Sequence, residues 1–379
     1  MTQVNSSRII PNPHEILNRI SDAQLLKVGR KFLSGARLDF DDGIACLVSN
    51  DTLGLGTLAF ADRKARYGDR ASYVVNHHIN YTNVCVNGCK FCAFYRNPTA
   101  EDGYVLGPDE VVDQIRAASG LGLTEVHIVG GVNPELDFAY YLNLLASLRT
   151  SFPAIKIKAF TAVEIDQIAK KASLGWRECL AELQKGGLDM LPGGGAEIFS
   201  DRVRQSLFPA KIGADSWLTI HGEAHRLGIG TNATMLFGHI ETVEERIDHL
   251  IRLRNQQDET GGFRAFIPLV FHPRNTSLAD LSGPTALETL KTIAVSRLLL
   301  DNVDHIKAYW VMLGMKLAQM ALYFGADDLE GTIVAEKIAH EAGAGTAAGL
   351  SKGELEQCIL DAGFQPAERD TFHRSVVAA

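Results

Sequence analysis

Three cysteines lie close together in the chain, and their spacing is typical of iron–sulfur ligands. They are Cys85, Cys89 and Cys92, within the run Asn-Val-Cys-Val-Asn-Gly-Cys-Lys-Phe-Cys-Ala-Phe that begins at Asn83. A [4Fe-4S] cluster usually takes four thiolates, so three thiolates leave one of its irons open to another ligand. The spacing therefore predicts a [4Fe-4S] cluster with an open iron at which chemistry can take place.

Two other uses of the three cysteines are less well supported. A structural zinc site needs a fourth Cys or His at short range, and none follows Cys92 before His127. A set of disulfide bonds would leave one thiol of the three unpaired, and the N-terminal sequence lacks the order of a signal peptide. The open cluster is the favoured interpretation.

Composition limits the classes of partner. The chain has 379 residues, a net charge of -8 and 46% apolar residues. A protein that binds nucleic acid needs clustered Lys and Arg, and no such cluster occurs. No apolar stretch has the length of a membrane span. We therefore expect small-molecule ligands, no nucleic acid, no membrane and a cytoplasmic location, where Cys46, Cys179 and Cys358 act as small apolar residues.

The pattern of elements predicts an α/β fold. Apolar residues recur at helical spacing in the first 70 residues, and β-like runs then alternate with amphipathic helices. The predicted strands cover residues 73–82, 125–129, 155–161, 188–191, 230–236, 264–271, 306–311 and 327–330. Eight such βα units predict a (β/α)8 barrel of TIM type. We expect a helical cap at 1–70, the barrel at 71–334 and a helical C-terminal extension at 335–379.

Glycines and polar residues cluster where the predicted strands end, and in a barrel that face carries the chemistry. Candidate cofactor-binding residues are Gly130, Gly131, Glu164, Glu197 and Gly238, and candidate catalytic residues are His272, Arg274, Lys307 and Tyr309. Glycine lets a ligand approach the backbone closely, although tight turns also recruit it. Either glutamate could instead pair with an arginine, and Lys307 could instead form a buried ion pair.

The cysteine motif resembles the signature of the radical S-adenosylmethionine (AdoMet) superfamily, including an aromatic residue, Phe91, before the third cysteine. The resemblance implies that the open iron is chelated by the amino and carboxylate groups of AdoMet. One electron from the cluster then cleaves AdoMet to methionine and a 5'-deoxyadenosyl radical. It also implies that Phe91 packs near the adenine and that a reductant such as flavodoxin or ferredoxin supplies the electron.

Further segments are similar to one branch of that superfamily, the enzymes of the futalosine route to menaquinone, which are related to those that build the chromophore of cofactor F420. These segments are His78–Cys85, Lys158–Glu164, Leu191–Phe199, Gln257–Gly262 and Ala367–Thr371. The branch contains a synthase family and a cyclase family. Residues Phe266–His272, His305–Gly314 and Gly325–Gly331 resemble the aminofutalosine synthases, and the dehypoxanthine futalosine cyclases are the alternative.

The resemblance implies a reaction between AdoMet and 3-[(1-carboxyvinyl)oxy]benzoate. The deoxyadenosyl radical adds to the methylene carbon of the enol ether, the aryl group migrates, and the carboxyl group leaves as bicarbonate. The product is 6-amino-6-deoxyfutalosine. Because the substrate carries two carboxylates, we expect Arg274 and Lys307 to bind them. His272 and Tyr309 are then candidate proton donors during cleavage of the C–O bond.

Overall fold

The N-terminal part of the chain is helical, as the sequence predicts. The computed structural model describes residue 10 and residues 12–376. Four helices come first: α1 (Pro13–Asn18), α2 (Ala23–Leu33), α3 (Phe40–Val48) and α4 (Thr52–Tyr67). Helix α2 starts separately from α1, because Asp22 caps its N-terminus by accepting a hydrogen bond from the Leu25 N–H at 2.7 Å. Helices α3 and α4 pack against the outer helices of the barrel.

The central sheet is parallel and follows the chain order. After β1 (Arg70–Val74), seven strands pair with their sequence neighbours. They are β2 (Asn76–Ile79), β3 (Glu125–Ile128), β4 (Lys156–Ala159), β5 (Met190–Leu191), β6 (Gly230–Phe237), β7 (Phe263–Val270) and β8 (His305–Ile306). Each of the first seven predicted runs overlaps one of these strands. The residue between β1 and β2, Val75, divides the first predicted run in two.

Helices cover the outside of this sheet. They are α5 (Pro108–Ala117), α6 (Phe138–Ser151), α7 (Ala162–Ala172), α8 (Trp176–Gly186), α9 (Asp201–Leu207), α10 (Ala214–Arg226), α11 (Val243–Thr260), α12 (Ala286–Leu299), α13 (Trp310–Leu313) and α14 (Met315–Leu322). Helix α13 replaces the end of the predicted strand 306–311, since Trp310 turns inward and donates from Nε1 to the Gly331 carbonyl at 2.8 Å. In the described part of the chain, no helix has the length and apolar character needed to cross a membrane.

The predicted eighth strand is β9 (Asp328–Gly331), which forms its ladder with β1 and not within the seven-stranded sheet. An isolated bridge pairs Lys307 with Asp328 at the β8 edge of that sheet. At the other edge, the His78 N–H donates to the Val334 carbonyl at 3.0 Å. The segment 327–334 thus links the first and last strands of the seven-stranded sheet, and the architecture is that of a TIM-type (β/α)8 barrel.

The C-terminal segment, for which the sequence predicts helix, contains two helices and also one strand, and the strand alone was not predicted. The elements are α15 (Ile338–Glu341), α16 (Lys352–Asp361) and β10 (Gln365–Glu368), and β10 pairs in parallel with β1. The tail then enters the N-terminal end of the barrel, where Arg369 pairs with Asp328 and the Thr371 hydroxyl donates to Glu125. The tail therefore fills the end of the barrel opposite to the C-terminal ends of the strands.

Candidate functional site

A cavity of about 320 Å³ lies at the C-terminal ends of the strands, and the three cysteines line one wall of it. All three are free thiols. Backbone hydrogen bonds fix the loop that carries them: the Cys85 N–H donates to the Arg96 carbonyl at 2.8 Å, and the Lys90 N–H donates to the Leu207 carbonyl at 2.9 Å. The loop after β2 thus presents Cys85, Cys89 and Cys92 to one space, as their spacing predicts.

The donor set fits an iron–sulfur cluster with an open iron. No fourth cysteine occurs among the described residues that line the cavity. Among the described residues, no three His, Cys, Asp or Glu side chains are arranged to hold a metal ion, whereas the thiolates of a cluster bind separate irons. Burial raises the pKa of the Cys89 thiol to about 12 and also raises that of Cys92. Loss of these protons therefore accompanies metal binding.

Two glycines let the cysteine loop pack against the end of β3. A Cβ atom on Gly131 would overlap the Val84 carbonyl and lie 2.8 Å from the Cys85 Cβ. A Cβ atom on Gly130 would lie 2.7 Å from the Tyr81 ring. Both glycines line the cavity, as predicted for cofactor-binding positions. The close approach that they permit in the structure is to the protein's own cysteine loop.

Two other predicted cofactor-binding residues are not among the residues that line the cavity. Glu164 is buried and accepts hydrogen bonds from the Tyr81 hydroxyl at 2.7 Å, the Gly130 N–H at 3.1 Å and the Thr161 N–H at 2.7 Å. Burial raises the pKa of Glu164 to about 7 despite these hydrogen bonds. The Gly238 N–H donates to Glu241 at 2.6 Å. Glu164 and Gly238 thus support the loops around the site, and a direct contact with a cofactor remains a prediction for both.

Glu197 and Phe91 line the cavity beside the cysteines. Glu197 forms an ion pair with Lys211, whose Nζ lies 5.2 Å from the centre of the Phe91 ring. Burial alone would lower the pKa of Lys211, but Cys89 and Glu197 raise it above its usual value. Lys211 was not identified from the sequence, because it lies in a connection between two helices, away from every strand end.

Of the four predicted catalytic residues, His272 and Tyr309 line the cavity. The His272 ring contacts the Met312 carbonyl through Nε2 at 2.9 Å, and burial lowers the pKa of this histidine. Burial and the charges of Glu336 and Glu330 raise the pKa of Tyr309 well above its usual value. Both side chains are therefore neutral. The single N–H of His272 is directed to the Met312 carbonyl, whereas the Tyr309 hydroxyl can donate inside the cavity.

Arg274 and Lys307 are not among the residues that line the cavity. Arg274 is exposed, beyond the end of β7. Lys307 is buried and pairs with Glu330 at 2.6 Å, so the buried ion pair considered for this lysine is present. Burial lowers the pKa of Lys307, and Arg369 lowers it further. The structure does not bring these two cations together with His272 and Tyr309, and their predicted contacts with substrate remain untested.

Lys307 belongs to a larger buried network below the cavity. Lys158 lies 2.7 Å from Glu125 and 3.4 Å from Glu330. Burial would raise the pKa of Glu330, but Lys307 and Lys158 hold it well below its usual value. With the Arg369–Asp328 pair, the network contains three cations and three carboxylates.

Four polar residues at the inner end of the cavity were not identified from the sequence. His78 and His127 are paired in the register of β2 and β3, with ring centres 4.5 Å apart. Asn80 and Asn232 also line the cavity, and each has a buried side-chain oxygen, an acceptor, without a hydrogen-bond partner among the described residues. The alternation of polar residues at 76, 78 and 80 was an available signal, because alternate strand residues face the barrel interior.

Comparison with known proteins agrees with this geometry. The sequence matches the Radical SAM superfamily over residues 79–253 and the CofH/MqnC C-terminal region over residues 260–376. Aminodeoxyfutalosine synthase of Thermus thermophilus is 46% identical over 94% of this chain and 97% of that protein. Aminodeoxyfutalosine synthase of Streptomyces coelicolor is 44% identical over 90% of this chain and 91% of that protein.

More distant relatives have other activities in their names. The 5-amino-6-(D-ribitylamino)uracil–L-tyrosine 4-hydroxyphenyl transferase of Methanopyrus kandleri is 42% identical over 82% of this chain and 85% of that protein. Among solved structures, methylornithine synthase (PylB) superposes with a TM-score of 0.73 at 19% identity, over 90% of this chain and 97% of that one. The hydrogenase maturase HydG superposes with a TM-score of 0.73 at 16% identity, over 94% of this chain and 79% of that one. These two likenesses support the barrel fold.

Proposed function

Because the chain belongs to the radical SAM superfamily and, within it, to the aminodeoxyfutalosine synthase family, we propose that its cavity joins AdoMet to 3-[(1-carboxyvinyl)oxy]benzoate. The chain is a radical SAM enzyme of the futalosine route to menaquinone, and it uses a [4Fe-4S] cluster and AdoMet. The products of the proposed reaction are 6-amino-6-deoxyfutalosine, methionine and bicarbonate. The observation that carries the proposal is the placement of three free thiols on the wall of a ligand-sized cavity.

The first task of the protein is to hold the cofactors. When bound, the cluster and AdoMet supply the reductive cleavage that generates the deoxyadenosyl radical. Cys85, Cys89 and Cys92 are the residues that would hold the cluster. Phe91 offers an aromatic face for the adenine, and Glu197 offers carboxylate oxygens to AdoMet hydroxyl or amino groups. Lys211 holds the Glu197 carboxylate in place through their ion pair.

The second task is to position the substrate and exclude water. Ile267, Leu269 and Phe271 form an apolar wall on which the aryl ring can pack. Ala339 and Ala342, from the C-terminal segment, cover another side of the cavity and limit the access of water. Tyr309 places a neutral hydroxyl donor in this space, where it can stabilise the oxygen released by C–O cleavage, and His272 lines the same space with its N–H held by the Met312 carbonyl.

The reductant and the location of the enzyme are part of the same proposal. One-electron donation by a small protein such as flavodoxin or ferredoxin would reduce the cluster. The cytoplasm is the compartment that we assign, because its reducing conditions keep thiols free for metal binding. Exchange of flavodoxin for ferredoxin in the purified system, with turnover as the measurement, tests the choice of donor.

A comparison of substrates tests the proposed reaction. The protein is reconstituted anaerobically with iron and sulfide, reduced, and given AdoMet with one of three substrates. These are 3-[(1-carboxyvinyl)oxy]benzoate, dehypoxanthine futalosine, and tyrosine together with 5-amino-6-(D-ribitylamino)uracil. Mass spectrometry should detect 6-amino-6-deoxyfutalosine from the first and no new product from the others. Turnover of dehypoxanthine futalosine instead would assign the cyclase reaction and reject the proposal.

A further inference from the structure

The inner end of the cavity is polar but carries no free cation. Among the described residues that line the cavity, Lys211 is the sole lysine or arginine, and it is paired with Glu197 near the cysteines. Glu330 also lines the cavity, and its charge is compensated by ion pairs with Lys158 and Lys307. A carboxylate that enters this end can therefore be received by neutral donors without breaking an ion pair.

The neutral donors are two imidazoles. His78 Nε2 and His127 Nδ1 are buried and have no hydrogen-bond partner among the described residues. A buried polar atom without a partner costs about 1–3 kcal/mol. Burial lowers the pKa of His78 to about 3 and that of His127 well below its usual value. The two rings are neutral, and each retains one N–H.

The position of the pair indicates which end of a ligand it meets. His78 and His127 belong to β2 and β3 themselves, whereas the cysteines follow in the loop beyond β2. The pair therefore lies deeper in the barrel than the cluster site. A group that reacts must lie near the cysteine wall, so the inner end receives a part of the substrate that undergoes no bond change. Binding energy at such a remote group serves to position the reacting carbon.

The geometry points to the pair His78–His127 as the subsite for the benzoate carboxylate of the substrate. This assignment rests on the proposed function. The aryl carboxylate is remote from the enol ether at which bonds form and break, and it fits the polar inner end. The enolpyruvyl carboxylate, which is lost in the reaction, then lies toward the cysteines. The subsite recognises the carboxylate by hydrogen bonding and not by an ion pair, because the nearby lysines are already paired.

Equilibrium binding tests the subsite without turnover. The ligands are 3-[(1-carboxyvinyl)oxy]benzoate and its methyl ester at the benzoate carboxyl, titrated into the unreduced, AdoMet-loaded holoenzyme. The variants are His127→Phe and His78→Phe, which keep an aromatic ring and remove the ring nitrogens. The control is His221→Phe, since His221 is a buried, unpartnered histidine on α10 that does not line the cavity. Melting temperature and AdoMet affinity show that each variant is folded.

Each of the two variants should weaken binding of the diacid about 10-fold or more and change binding of the ester little, because the ester cannot act as a charged acceptor. His221→Phe should leave the ratio of the two affinities as in the wild type. Equal losses for diacid and ester, or no loss for either, would overturn the subsite. A misfolded His127→Phe protein leaves His78→Phe to decide.

The outcomes separate the subsite from the proposed function. The expected pattern of affinities without turnover of the diacid would reject the proposed function and retain the subsite. Turnover of the diacid with variants that bind it normally would reject the subsite alone. Failure of the wild type to bind the diacid would reject both.

Discussion

At the scale of single residues, the cysteines serve the chemistry of the site and the buried ion pairs serve the structure of the barrel. The spacing of the three cysteines was enough to predict them as cluster ligands, because such ligands are separated by short distances along the chain. The roles of Lys307 and Arg274 could not be predicted in the same way. The position of a residue at a strand end predicts which face of the barrel it lies on, but not its partner. The partner of Lys307 is Glu330, which comes from a different strand. The direction of the loop that carries Arg274 depends on packing.

The cysteine assignment predicts different results for two groups of cysteine variants. Cys85→Ala, Cys89→Ala and Cys92→Ala should each lose most of the iron and all AdoMet cleavage, because two thiolates are too few to retain the cluster. Cys46→Ala and Cys179→Ala should keep both, since these thiols are buried in the apolar core. Iron and sulfide assays of the anaerobic proteins measure the difference. A Cys89→Ala protein with a full cluster and normal cleavage would contradict the assignment.

The buried network predicts that the main contribution of Lys307 is to the stability of the fold. Lys307→Met should destabilise the protein by about 3–5 kcal/mol, because Glu330 would remain charged and buried with one partner fewer. Lys307→Met combined with Glu330→Gln should recover part of that loss. Urea unfolding curves measure both changes.

The control for this network is Lys185→Met, which breaks an exposed ion pair with Glu182 and should cost less than about 1 kcal/mol. If Lys307→Met unfolds at the same urea concentration as the wild type, the network has no structural role. A loss of substrate affinity in that case would instead support the contact predicted from the sequence.

At the scale of elements, the βα units and their strand ends position the site. The alternation of β-like runs with amphipathic helices predicted the barrel strands, because parallel strands are covered on both faces and appear as short apolar runs. It did not predict β10, since Gln365–Glu368 is polar and partly exposed, and its pairing with β1 is a contact distant in sequence. The helix α13 was also missed, because the inward turn of Trp310 depends on the carbonyl of Gly331.

The packing of the cysteine loop on β3 predicts a strong effect of one added methyl group. Gly131→Ala should push the loop away from the strand, because the new Cβ would overlap the Val84 carbonyl. We expect iron retention about 10-fold weaker than in the wild type, in a protein that still folds. Iron content after gel filtration with a chelator measures this loss.

Gly120→Ala is the matched control, since a Cβ atom there would meet nothing within 4 Å. It should retain iron as the wild type does. Wild-type iron retention by Gly131→Ala would show that the loop adapts to the added methyl group, and the proposed need for glycine at this position would be wrong.

At the scale of the whole molecule, one end of the barrel holds the cavity and the other end is filled by the C-terminal tail. The C-terminal ends of the strands enclose the cavity, and the tail fills the opposite end through Arg369, Thr371 and the stacking of His373 on His305 at 3.9 Å. The division into a cap at 1–70, a barrel at 71–334 and an extension at 335–379 remains a prediction.

Deletion of the chain from Gln365 onward tests the role of the tail. The deletion removes β10 and leaves Asp328 without Arg369, so the melting temperature should fall by about 5 °C or more. Arg374→Met, at an exposed position of the same tail, is the control and should melt as the wild type does. An unchanged melting temperature after the deletion would show that the tail does not stabilise the barrel.

The fate of the adenosyl group tests the central claim most directly. The reduced enzyme is incubated anaerobically with 3-[(1-carboxyvinyl)oxy]benzoate and AdoMet labelled in its adenosyl portion. If the radical adds to the substrate, the label must enter an aryl-containing nucleoside, with methionine formed in equal amount. Label recovered as free 5'-deoxyadenosine, with dehypoxanthine futalosine as the substrate consumed, would contradict the synthase assignment and identify a hydrogen-abstracting cyclase.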